Sequence, residues 1–164
     1  MITKPMDVLQ HFPIRKSKAQ KQQFRDAVQS YLKSLGYDST IEKGSMGAHN
    51  IVIGNPETAK YLITAHYDTP AALPFPNLIT PCNFLPFLGY QILLTLVMFA
   101  AAFIPGLLLA LAGVSAENAS LIWLLCLYAL LALMLVGPAN KHNANDNTSG
   151  VVTVLEIAKS LPER

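Results

Sequence analysis

From residue 69 to residue 140 the chain carries a single charged side chain, Glu117. Within that stretch lie two apolar runs, residues 84–113 and 119–137, neither of which contains an ionisable charge. A helix needs about 20 apolar residues to cross a bilayer, and buried helices of soluble proteins rarely exceed about 14 without a polar position. The runs therefore predict two transmembrane helices, the first kinked at Pro105, in preference to a buried helical hairpin. Gln91 and Thr95, the notable polar groups of the first span, are expected to face the partner helix. Composition agrees, because 13% of the residues are charged, against about a quarter in ordinary soluble domains.

Charge outside the runs is asymmetric. Nine of the twelve Lys and Arg residues precede Pro70, among them Lys4, Arg15, Lys16, Lys18, Lys21, Arg25 and Lys33, and Lys141 follows the second run directly. The linker between the runs carries Glu117 and no base, so the positive-inside rule places both termini in the cytoplasm. Residues 1–13 lack a basic start followed by an apolar stretch, and export through a secretory signal is not expected. Cys82 and Cys126 show no zinc or redox spacing and are expected to be reduced and structural. No nucleic-acid motif is present, and the lipid bilayer is the partner that composition implies.

The flanking segments have the patterning of a packed domain. Across residues 17–35, Phe24, Ala27, Val28, Tyr31, Leu32 and Leu35 recur at helical spacing, with Lys18, Lys21, Arg25 and Lys33 on what reads as a solvated face. Gly36 closes this helix. Residues 37–42, 50–53 and 60–65 are short β-prone runs separated by Lys43-Gly-Ser-Met-Gly47 and Gly54-Asn-Pro-Glu57, which is turn chemistry. The third run is apolar on both faces and predicts a central strand of a covered sheet. Pro70, Pro74, Pro76 and Pro81 make residues 69–83 a stiff connector. Thr148 and Ser149 offer N-cap hydroxyls to a helix through Val151, Val154, Leu155, Ala158 and Leu161, stopped at Pro162.

The ionisable chemistry sits where these elements meet the apolar runs. Tyr61-Leu-Ile-Thr-Ala-His66-Tyr-Asp68-Thr places an imidazole and a carboxylate just past the third β-prone run, the edge at which α/β sheets place their ligands. A metal-binding imidazole needs a carboxylate or carbonyl behind it to fix its tautomer, and Asp68 can supply one. Eighty residues after His66, Asn145-Asp146-Asn-Thr-Ser-Gly150 places a carboxylate ahead of a helix. A carboxylate so placed can bridge two cations about 3.5–4 Å apart, with small neighbours that let backbone approach them. Taken singly, His66 with Asp68 reads as a hydrogen-bonded strand end and Asp146 as a cap; together they point to a metallohydrolase.

In this order and setting the two segments, the second extended through Val151-Val-Thr-Val-Leu-Glu-Ile-Ala-Lys159, resemble the zinc-dependent aminopeptidases of the aminopeptidase Y and bacterial leucyl aminopeptidase type. The resemblance covers about residues 17–68 and 145–164. It implies an α/β, phosphorylase/hydrolase-like zinc exopeptidase domain holding two zinc ions. His66 is then a ligand of one zinc, Asp68 its orienting catalytic carboxylate, and Asp146 the carboxylate bridging both. The substrate class implied is peptides, cleaved of N-terminal residues at the cytoplasmic membrane face. The domain would comprise residues 1–83 and 138–164, interrupted by a transmembrane hairpin at 84–137. The family's adjacent Glu pair and its later ligands have no counterpart here, and His49 and His142 read as a turn residue and an interfacial residue. The expectation is therefore an incomplete domain, the N-terminal part of a longer enzyme and inactive alone. A membrane-anchored scaffold that keeps the fold without the chemistry is the alternative, ahead of a small transporter or channel subunit, whose spans would need more polar groups than Gln91 and Thr95.

Overall fold

The computed structural model describes residues 2–73, 83–142 and 144–161. Pro74, Pro76, Pro81 and Cys82 of the expected connector, and the expected helix stop at Pro162, lie outside the described residues. The chain divides into two compact units, Met1–Pro70 with Ala139–Arg164, and Ala71–Pro138. The fold is mainly helical with one small sheet.

In the first unit a short helix α1 (Asp7–His11) precedes α2 (Lys18–Ser34). Ser17 starts α2 with a reciprocal cap: its hydroxyl accepts from the Gln20 N–H, and the Gln20 side chain accepts from the Ser17 N–H. Such a box satisfies two donors that the first turn leaves unpaired. Gly36 ends the helix at φ 90°, a conformation that costs a side-chain-bearing residue more than glycine. Strands β1 (Ser39–Lys43) and β2 (His49–Ile53) then pair antiparallel, Ile41 opposite Ile51. The 3-10 turn Ser45–Gly47 joins them.

Residues 61–65 depart from expectation. They are not a central strand; they run without regular secondary structure, and Leu62 and Ile63 are 68% and 53% exposed. An apolar run forms a strand only where neighbours accept its ladder hydrogen bonds, and among the described residues the sheet has two members. Leu62 and Ile63 instead line an open groove of about 460 Å³ shared with Val52, Ile53, Val154 and Leu155.

The core of this unit joins both ends of the chain. Phe24, Val28, Tyr31 and Leu32 of α2 pack with Val151, Val152, Leu155 and Ala158 of the last helix, α5 (Ser149–Ser160). Tyr37 Oη donates to the Ala158 carbonyl at 2.8 Å. The Asn140 N–H donates to the Pro70 carbonyl (2.9 Å), drawing the chain together where the long insertion leaves and returns.

The second unit is a helical hairpin, α3 (Phe84–Leu111) and α4 (Ala116–Val136). At 1.5 Å per residue the helices are about 42 and 32 Å long, enough for a hydrocarbon core of about 30 Å. Both are long and apolar enough to cross a membrane. In α3 the buried residues are Ala102 and Gly106, and in α4 Ala119, so most of the surface of both helices is uncovered among the described residues. α3 continues through Pro105 to Leu111. Thr95 does not turn to the partner helix; it is exposed, and its hydroxyl donates to the Gln91 carbonyl one turn back, which satisfies it in an apolar setting. Gly113, at φ 89°, and the capping hydroxyl of Ser115 make the tight turn into α4. At the base of the hairpin the Ala72 N–H donates to the Pro138 carbonyl (2.7 Å). Cys126 is a free thiol.

Candidate metal centre

The candidate site forms in the first unit, where residues 66–69 meet the turn before α5. Side chains alternate along an extended backbone. Tyr67 therefore points inward while His66 and Asp68 share the outer face. Tyr67 stacks at 5.2 Å from the Phe24 ring, donates to the His49 carbonyl (2.6 Å) and accepts from Arg25 Nη1 (3.0 Å). Its burial fixes the direction of its two neighbours.

Asp146 arrives from the other side. It and Asn147 depart from helical geometry, at φ −130°, ψ 85° and φ −134°, ψ 45°, within the irregular turn Ala144–Thr148. Asn147 ties this turn to the first segment: Nδ2 donates to the His66 carbonyl (3.2 Å) and Oδ1 accepts from the Gly150 N–H (3.2 Å). A Cβ at position 150 would fall 2.2 Å from Asn147 Oδ1, so a larger residue there would displace the Asn147 side chain. Asn147 thus serves the first turn of α5. Thr148, expected as a cap, makes no capping bond, and its hydroxyl accepts from Arg15 Nη2 instead (2.9 Å).

His66 lies between two carboxylates. Nδ1 is 3.3 Å from Asp68 Oδ1, and Nε2 is 3.3 Å from Asp146 Oδ1. Each ring nitrogen thus has a carboxylate oxygen beside it. Zinc bonds of about 2.0–2.2 Å to nitrogen and oxygen at a tetrahedral angle separate the two donors by about 3.4 Å. The observed separation fits two ligands of one zinc, with Asp68 in the place of the orienting carboxylate. All three side chains are about half exposed, so a metal could reach them from solvent.

The set is small. Among the described residues no group of three or more His, Cys, Asp or Glu side chains is placed to hold a metal. The structure brings His66, Asp68 and Asp146 together and adds neither His49 nor His142. His49 begins β2, its Nδ1 3.0 Å from the Gly47 carbonyl, and His142 is exposed after the second span.

Two residues escaped sequence reasoning. Arg15 and Arg25 count among the basic residues of the N-terminal region, yet both are buried, at 0% and 6% exposure. Arg25 therefore does not belong to the solvated face of α2; it contacts Tyr67 and Gln22. The signal for Arg15 lies in acceptors far away in sequence, and no local pattern carries it.

No family model, curated protein or solved structure matches this chain. The resemblance to zinc aminopeptidases rests on the two quoted segments alone.

Proposed function

We propose that the chain is a membrane-anchored zinc metallopeptidase unit, of the kind that removes N-terminal residues from peptides. The observation that supports it most is the approach of His66 and Asp146, residues separated by the whole hairpin, to 3.3 Å with Asp68 behind the imidazole. His66 and Asp146 would hold one zinc, and Asp146 would be the carboxylate shared with a second. Bound there, zinc would supply activation of water and Lewis-acid polarisation of a carbonyl. Asp68 orients His66, and Asn147 holds the two segments together. Zinc sites use three or four protein ligands, so further donors and a general base must join these residues for turnover.

The hairpin anchors the unit in the bilayer. Seven lysines of the N-terminal region, with Lys141, favour a cytoplasmic location for both termini.

The test is metal binding by the purified chain in detergent micelles, followed by the visible absorbance of Co²⁺. The expected result is a weak site that Zn²⁺ displaces and that His66→Ala and Asp146→Ala each abolish. Binding that survives both substitutions, or no binding at millimolar Co²⁺, overturns the assignment. In any form of the protein that cleaves peptides, Asp146→Ala abolishes cleavage. The scaffold alternative draws on the presence of only two converging donors among the described residues, and absence of metal binding in the unsubstituted chain would favour it.

A further inference from the structure

Arg15 is the least expected side chain of the first unit. It is completely buried, and among the described residues it forms no ion pair with a carboxylate. An isolated buried charge is strongly unfavourable unless hydrogen bonds compensate it. Its guanidinium donates to three neutral acceptors on three segments: Nε to the Tyr67 carbonyl, Nη1 to the Phe12 carbonyl, and Nη2 to Thr148 Oγ1 at 2.9 Å. The planar group lies over the Phe24 ring, 5.3 Å from its centre. Its backbone is engaged as well, since the N–H donates to Thr69 Oγ1 (2.7 Å) and the carbonyl accepts from the Thr69 N–H (3.1 Å). Burial lowers its pKa from the ordinary value, against the opposing charge of Asp68.

These contacts are placed around the candidate metal centre. Residues 67 and 69 flank Asp68 on both sides, and residue 148 is two past Asp146. One side chain thus grips both halves of the site while touching none of its three ionisable groups. Five N–H donors in a rigid fork suit this task, whereas an ammonium presents a single point of attachment.

Resting on the metal-site reading above, we infer that Arg15 is the positioning residue of the candidate metal centre, setting the separation of His66 and Asp146 through the Tyr67 carbonyl and the Thr148 hydroxyl. A buried cation with no direct ion pair among the described residues is explained by that role, because an apolar side chain could fill the space but could not register two segments about 80 residues apart.

The experiment measures Co²⁺ affinity of the full chain in micelles for the unsubstituted protein and for Thr148→Val, Thr148→Ser and Arg15→Lys, with circular dichroism and thermal unfolding on each. Thr148→Val removes the acceptor while keeping the shape, and it forfeits no capping bond. Partners that orient ligands typically contribute 10- to 100-fold in metal affinity. The expected result is a loss of about tenfold or more in Thr148→Val with its fold intact, recovery in Thr148→Ser, and a loss at least as large in Arg15→Lys. Unchanged affinity in Thr148→Val overturns the inference and leaves the metal site standing, as does equal weakening in Thr148→Ser. If Arg15→Lys does not fold, the Thr148 pair decides alone. Absence of Co²⁺ binding in the unsubstituted chain overturns the metal site, and this inference with it.

Discussion

Gly106 is where a single substitution tests the packing of α3 against α4. A methyl group at this position would lie 2.6 Å from the Ala119 carbonyl oxygen and 3.3 Å from Trp123 Cβ. Carbon and oxygen in close contact between helices sit about 3.3–3.6 Å apart, so Gly106→Ala requires α3 and α4 to separate by roughly 0.7 Å. The seam consists of the small residues Ala102, Gly106 and Ala119, and in lipid such close packing is a main source of association between helices. Overpacking of this kind typically costs about 1–3 kcal/mol. Trp123 is the only tryptophan and touches the perturbed site, so its fluorescence reports the seam directly during titration of the purified protein with a denaturing detergent. Gly89→Ala is the matched control: it lies in the same helix with nothing within 4 Å of its would-be methyl, and helix propensity should make it neutral or more stable by up to about 1 kcal/mol. Equal unfolding midpoints for the two variants, or an unshifted Trp123 emission in Gly106→Ala, would refute the close approach.

Two further outcomes follow from the first unit. Asp7 accepts from the Thr3 N–H (2.8 Å), the Thr3 hydroxyl (2.8 Å) and the Lys4 N–H (3.1 Å), which lowers its pKa from 3.8 to about 2. A depressed carboxylate pKa stabilises the fold above the unfolded value and loses that contribution as pH falls through the folded value. Thermal midpoints should therefore drop between about pH 4 and pH 2, and Asp7→Asn should flatten that slope. Asn147→Ala, which removes the bonds to the His66 carbonyl and the Gly150 N–H, should cost about 1 kcal/mol; an unchanged midpoint in chemical denaturation would contradict the turn geometry.

The parts of the structure open to sequence reasoning are those whose physics is local. The hairpin depends on length and apolarity alone, and α2 and α5 on a period that one helix face must satisfy. The β1–β2 pair follows from turn chemistry between two β-prone runs. Residues 61–65 show the limit, because apolar content signals a preference for burial but does not supply the neighbouring strands. The His66 and Asp68 pair was readable since alternation along an extended chain needs no tertiary information. Arg15 was not, because its acceptors at Tyr67 and Thr148 lie 52 and 133 residues away, and within a basic N-terminus an arginine looks solvated. Thr148 was misassigned for the same reason: a hydroxyl ahead of a helix suits a cap until a distant donor claims it.

The insertion itself poses an energetic question. Closing a flexible loop of about 70 residues costs about 4 kcal/mol in chain entropy, a large fraction of a small domain's stability. Here most of the insertion is the helical pair α3 and α4. α3 approaches α4 closely at Gly106, and the Ala72 to Pro138 hydrogen bond holds the two ends of the insertion together. The first unit has its own joint, the Asn140 to Pro70 bond, and its core draws on neither helix of the hairpin. Replacing Ala71–Pro138 by a short Asn-Gly turn should therefore yield a protein that needs no detergent, keeps the contact of α2 with α5, and retains whatever Co²⁺ site the full chain has. Cooperative thermal unfolding and the Tyr37 to Ala158 contact, read by amide exchange, would establish the core. A molten or insoluble product would mean that the helices stabilise the first unit directly, and that the two halves of the candidate site depend on the hairpin for more than connection.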